Sequence, residues 1–203
     1  MTNHGQDDPR ALRNFLRTAW DQYSPTTPSD ARVPNETLHE AQLAFQEGKP
    51  ELALAILESH EATRSDPYAL NALGVMLMRL ERFDEARAAL NAAATALDHR
   101  KAIALANLSA VHIYERDWLA AEEAGRQAAI LSRETPHGWI NLLFIQARRQ
   151  SYADFETTLS NLSAAIPDWY HHPYIRKHLI ADVLPILRNH ETLQMKLKQQ
   201  LAI

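Results

Sequence analysis

His171, His172 and His178 stand close together near the end of the chain, with Asp168 and Asp182 on either side. Imidazole and carboxylate groups ligate metals, so this cluster has the residue types to hold a cation. Its spacing matches no metal motif such as H-E-x-x-H. It reads as a hydrated connector, and no metal is expected. Other signs of reaction chemistry are missing from the sequence. The five glycines are scattered singly and build no phosphate loop, and no G-x-S-x-G elbow occurs. Glu122 and Glu123 are adjacent, so on a helix they point in different directions. We expect no catalytic residue and no cofactor: the chain is not read as an enzyme. A different chemistry is suggested by Asn71, Asn107 and Asn141, because a side-chain amide both donates to and accepts from a peptide backbone.

Such groups act only where a scaffold holds them in a row. A chain of 203 residues, 46% hydrophobic and 23% charged, is long enough to bury a core and too apolar to be disordered. Alanine and leucine dominate, which favours helix over sheet. The net charge of −4 is spread without a basic block, so nucleic acid is not an expected partner. There is no cysteine, hence no disulfide or Cys-ligated metal. The start, MTNHGQDDPR, carries no secretory signal, and no apolar run reaches the length of a membrane helix. A soluble, cytoplasmic protein is expected, without membrane insertion.

The helical pattern repeats. Ala41, Gly74, Ser109 and Leu143 lie 33, 35 and 34 residues apart. Twelve residues after each stand Ala53, Ala86, Ala121 and Phe155. Three residues before those come Pro50, Phe83, Trp118 and Tyr152. Leu70, Leu73, Gly74 and Leu77 form one face of a first helix, and Ala86, Leu90, Ala93 and Leu97 form one face of a second. Small residues at the anchors let two helices approach closely. One hairpin cannot bury its apolar face alone, so hairpins must stack. Pro34, Pro67 and Pro136 precede first helices, with Asp66 and Thr135 as N-caps.

LNALGVML…RFDEARAAL, ALANLSAVHIYERDWLAAEEAG and WINLLFIQ…SYADFETTL…IP resemble the tetratricopeptide repeat, with HEAQLAFQEGKPELALAIL a weaker copy. The resemblance implies an all-α fold: a right-handed α-solenoid of antiparallel helix pairs. It comprises about four repeats (34–66, 67–101, 102–135 and 136–168) plus an N-terminal helix and C-terminal capping helices. Residues 1–33 hold the amphipathic helix, striped by Leu12, Phe15, Leu16, Ala19 and Tyr23, and a Pro/Ser/Thr linker. Residues 169–203 form the cap, broken at Pro185.

In that family the first helices line a concave groove. Carried over residue by residue, the peptide-binding groove comprises Phe45 from the first repeat and Tyr68, Asn71, Val75, Met78 and Arg79 from the second. Ile103, Asn107, Ile113 and Tyr114 come from the third, and Ile140, Asn141, Phe144 and Arg148 from the fourth. The lining is apolar and aromatic, as at an interaction site. The three asparagines either hold a bound backbone or bond the neighbouring repeat. The subgroup that clamps C-terminal carboxylates does so through Lys, Asn and Arg at groove positions where this chain has Leu38 and Gln42, then Ile103 and Asn107; the lysine and arginine are absent, so that mode is not expected.

The resemblance implies a non-catalytic scaffold or adaptor that holds a peptide or helix of a protein partner. The alternatives are a secretion-type chaperone for an unfolded client, or a structural subunit that forms a homo-oligomer through the N-terminal helix. That helix would dock in the groove, contact another chain, or cap the first repeat.

Overall fold

The computed structural model of the chain describes residues 35–95 and 99–203. The helix expected over 9–23, its linker, and Leu97 lie outside the described residues. All regular structure among the described residues is helical. Four antiparallel pairs follow one another: α1 (Asn35–Gln46) with α2 (Pro50–Glu58), α3 (Pro67–Arg79) with α4 (Phe83–Ala93), α5 (His99–Glu115) with α6 (Trp118–Leu131), and α7 (Pro136–Arg148) with α8 (Tyr152–Ala165). Each pair packs within itself and against its neighbours. Helix α5 begins three residues before the expected repeat boundary at 102.

The anchors sit where helices touch. Ala41, Ala53, Ala86, Ser109, Ala121, Leu143 and Phe155 are all fully buried, each at 0% exposure. A Cβ on Gly74 would lie 2.6 Å from Leu90 Cγ and 3.3 Å from the Ala86 carbonyl oxygen, so any larger residue would require Leu90 to shift for α3 and α4 to approach this closely. The Ser109 hydroxyl donates to the Ala121 carbonyl at 2.7 Å, tying the two anchors of the third pair together. Pro50, Phe83, Trp118 and Tyr152 each open a second helix.

Every turn within a pair uses the same backbone device. Gly48, Glu81, Arg116 and Gln150 have φ of 77°, 59°, 61° and 59°. The next amide in each case reaches back to a first-helix carbonyl, as in Lys49 to Ala44 and Ser151 to Gln146, both at 2.9 Å. This is a left-handed helix stop. Glycine supplies it in the first turn, and the packing of the pair imposes it on the other three.

Asp66 caps α3 as expected, accepting from the Tyr68 and Ala69 amides at 2.9 and 3.0 Å. Thr135 stands at the N-cap of α7 as expected, but its hydroxyl bonds Ser132 and makes no hydrogen bond to a helix amide. Pro67 and Pro136 occupy the first turns of their helices, and so does Pro50 of α2.

Another glycine fixes the junction of the third and fourth pairs. A Cβ on Gly138 would lie 2.7 Å from the Ala129 backbone nitrogen and 3.1 Å from Ala128 Cβ. Backbone cannot swing aside as a side chain can. Gly138→Ala should therefore push α6 and α7 apart and cost about 1–2 kcal/mol. Urea unfolding checks this, and an unchanged midpoint would refute the close approach.

Beyond α8 the chain forms α9 (Pro173–His178), a π-turn over Leu179–Val183, a 3-10 turn over Ile186–Asn189 and α10 (Glu191–Leu201). The break lies at Pro185, which has no amide to continue the ladder; just before it the Leu184 amide bonds Leu179 five residues back, at 2.9 Å. Trp169, Leu187, Leu197 and Leu201 bury this end, and Lys196 pairs with Glu156 of α8 at 2.8 Å.

Candidate functional site: the inner face of the helix array

The expected groove residues fall on α1, α3, α5 and α7, and the structure brings several of them together across repeats. The Arg79 guanidinium of α3 lies over the Phe45 ring of α1, 4.9 Å from its centre. Arg148 lies over Phe144 at 5.4 Å. Tyr114 packs on Phe83 with ring centres 5.2 Å apart. These are cation–π and tilted aromatic contacts.

The asparagine row is occupied within the protein. Asn107 Nδ2 donates to Asn71 Oδ1 at 2.8 Å, and Asn141 Nδ2 donates to the Ala106 carbonyl at 2.8 Å. Asn71 and Asn141 are buried. Of the two roles weighed for these amides, bonding between neighbouring repeats is the one the geometry contains. A buried amide left without such a partner would carry a desolvation cost, which is why asparagine suits this register.

Exposure divides the expected lining. Tyr68, Val75, Met78, Ile113, Ile140 and Phe144 are buried, with Phe144 at 0%. Phe144 was expected to present its ring; it is instead fully buried. Phe45, Ile103, Asn107, Tyr114 and Arg148 are partly exposed, and Arg79 is exposed. The face is therefore an apolar floor with a rim of rings and guanidinium groups. None of Tyr68, Arg79, Tyr114, Phe144 and Arg148 is without a partner.

The histidine cluster corrects the sequence expectation. His178 is fully buried, and its Nδ1 lies 2.7 Å from Asp182 Oδ2 across the π-turn. Its segment is thus packed core and not a hydrated connector. Tyr174 sits between His137 and His178, with ring centres 4.5 and 4.4 Å away. Burial, aided by the Asp182 carboxylate, pushes the Tyr174 hydroxyl above its usual range. Burial, then the charges of His178 and His172, lower His137 to about 4. His171 stays exposed and does not join them. No group of three or more ligating side chains is arranged for a metal among the described residues.

Sequence reasoning missed the opposite side. A cleft of about 480 Å3 lies between α6, α7 and α8, bordered by Arg126, Ile130, Arg133, Trp139, Asp154 and Thr157. Ile130 is 59% exposed there. The residues come from three helices and share no repeat register, so no spacing announces them.

No protein-family model and no curated protein sequence matches the chain. Among solved structures it is similar to YrrB, described as a TPR protein with an unusual peptide-binding site. The likeness covers 82% of this chain and 92% of that one, with a TM-score of 0.52 at 14% identity. The fold is thus a tetratricopeptide-like α-helical array. No helix among the described residues is long and apolar enough to cross a membrane.

Proposed function

We propose that the chain is a non-catalytic interaction scaffold whose inner face docks a peptide or helix of a protein partner. The observation that carries this reading is the floor and rim. The surface open to a partner is the rim, where Phe45, Ile103, Tyr114 and Arg148 are partly exposed and Arg79 is exposed, over residues of α3, α5 and α7 that are themselves buried. Interfaces concentrate their energy in such places, with aromatic and arginine side chains around desolvated apolar surface. YrrB's description as peptide-binding agrees with this reading without identifying a partner. The absence of a convergent acid–base or ligand set in the sequence favours binding over catalysis.

Selection of helical peptides from a display library against the full chain tests this function. Tyr114→Ala and Ile103→Asp alter partly exposed inner positions, whereas Ile130→Asp alters the outer cleft. The first two should weaken a selected peptide about tenfold or more, equivalent to about 1.4 kcal/mol. Ile130→Asp should leave affinity unchanged. Loss confined to Ile130→Asp would move the site to the outer cleft and refute the proposal.

A further inference from the structure

We infer that the outer cleft between α6 and α8 binds a short extended peptide with a free amino group at one end, a free carboxylate at the other and an apolar side chain between. The cleft shares no lining residue with the inner face, so the inference does not rest on the reading of that face. Helices α6 and α8 both pack on α7 and not closely on each other, which leaves a trough floored by α7. Two hydrogen bonds fix how these helices run past one another. Trp139, near the start of α7, donates through Nε1 to the Arg133 carbonyl just beyond the end of α6, at 2.8 Å. Gln146, near the end of α7, donates through Nε2 to Glu122 near the start of α6, at 3.4 Å. Helix α8 returns antiparallel to α7, so Asp154 in its first turn falls at the Gln146 end.

The two ends of the cleft carry opposite charges. Asp154 is exposed at one end and Arg133 at the other, and neither has an ion pair or side-chain hydrogen bond among the described residues. The other charged groups of the lining are matched within the protein, Glu122 by Arg149 and Arg126 by Glu123. Between the ends lie Trp139, Leu142 and Ile130, an apolar middle. The Asp154 end also holds an unmatched acceptor. Gln146, which borders the cleft, is buried at the register where α3 has Leu77. With its Nε2 committed to Glu122, its Oε1 is left without a hydrogen-bond partner among the described residues. A buried carbonyl without a donor is costly, so this end favours a ligand group rich in donors, and an ammonium carries three.

Length selects the ligand further. Gln146 and Trp139 mark the two ends of the floor, and seven residues of helix span about 10 Å. Three extended residues cover about 10 Å as well. In an extended chain the middle side chain points opposite to the two that flank it, so one apolar group enters the floor. A volume of about 480 Å3 is that of a small-ligand site. The ammonium then meets Asp154 and the carboxylate meets Arg133, while a ligand charged at one end only leaves one of these groups unmatched.

The probe is the tripeptide Ala-Leu-Ala, titrated into isotope-labelled full-length protein beside its N-acetylated and C-amidated forms. The free peptide should shift amides of α6 and α8 with a dissociation constant on the order of 1 mM. Blocking either end should weaken binding about fivefold, as expected for an exposed ion pair. Arg133→Gln should erase the preference for the free carboxylate and keep the preference for the free amino group; Asp154→Asn should do the reverse. Both side chains are exposed, and the Arg133 carbonyl that holds Trp139 is retained in the variant, so the fold should persist. Absence of shifts up to about 20 mM peptide would overturn the inference. So would equal binding of free and blocked forms, equal weakening of all three peptides by both substitutions, or shifts confined to α3 and α5. A tripeptide is too short to form a helix, so this outcome is distinct from that of the helical-peptide selection.

Discussion

Phe144→Ala is expected to destabilise the fold by about 3–5 kcal/mol, the cost of emptying a fully enclosed aromatic site. The ring has 0% exposure on a helix whose residues from Gly138 to Ala147 are all buried. Removing it leaves a cavity between α7 and its surroundings and takes away the surface under the Arg148 guanidinium. Tyr114→Ala gives the contrast. That ring is partly exposed and packs on Phe83, so its loss should cost much less while affecting peptide binding more. Urea unfolding of both variants decides the matter. A Phe144→Ala midpoint equal to that of the parent would mean that the ring is a surface anchor after all.

Acid should also weaken the fold, through His137. Its imidazole is held to about 4 in the folded chain against an ordinary value of 6.5. Burial disfavours the charged form, and His178 and His172 add to that. A base whose folded pKa is depressed binds more protons when unfolded, so its contribution to stability is present above about 6.5 and lost as pH falls towards 4. The expected loss is about 2 kcal/mol at pH 5 and about 3 kcal/mol at pH 4 relative to pH 7. His137→Leu should remove that part of the pH dependence. Tyr174 and the buried His178–Asp182 pair remain in both proteins, so the difference between them isolates His137. Parallel stability curves for the two proteins between pH 7 and 4 would contradict the assignment.

The helical pairs were legible because one anchor position in each helix must be small or deeply buried, and that requirement repeats every 33 to 35 residues. Asp66 was legible for a local reason: the side chain reaches amides two and three residues on. Thr135 had the same local form, but a neighbouring hydroxyl took its bond. The left-handed stops at Glu81, Arg116 and Gln150 carry no sequence mark, since tertiary packing holds them where glycine would be preferred. The inner face was legible as a set of positions and not as a set of exposures. Spacing places Phe144 and Tyr114 on the same side of their helices, but only the packed array separates floor from rim. His178 and Asp182 were misjudged for a similar reason. A polar pair four residues apart reads as wet, and only the folded structure shows both side chains buried, with the Tyr174 ring against His178.

Amide chemical-shift mapping tests the central claim most directly, because it locates a bound peptide without relying on substitutions. A selected peptide is titrated into isotope-labelled full-length protein, and the perturbed amides are assigned. The account predicts changes concentrated in α3, α5 and α7, with Arg79, Ile103, Asn107 and Tyr114 among the most affected. Perturbations confined to α6 and α8, around Ile130 and Thr157, would contradict it and place recognition in the outer cleft.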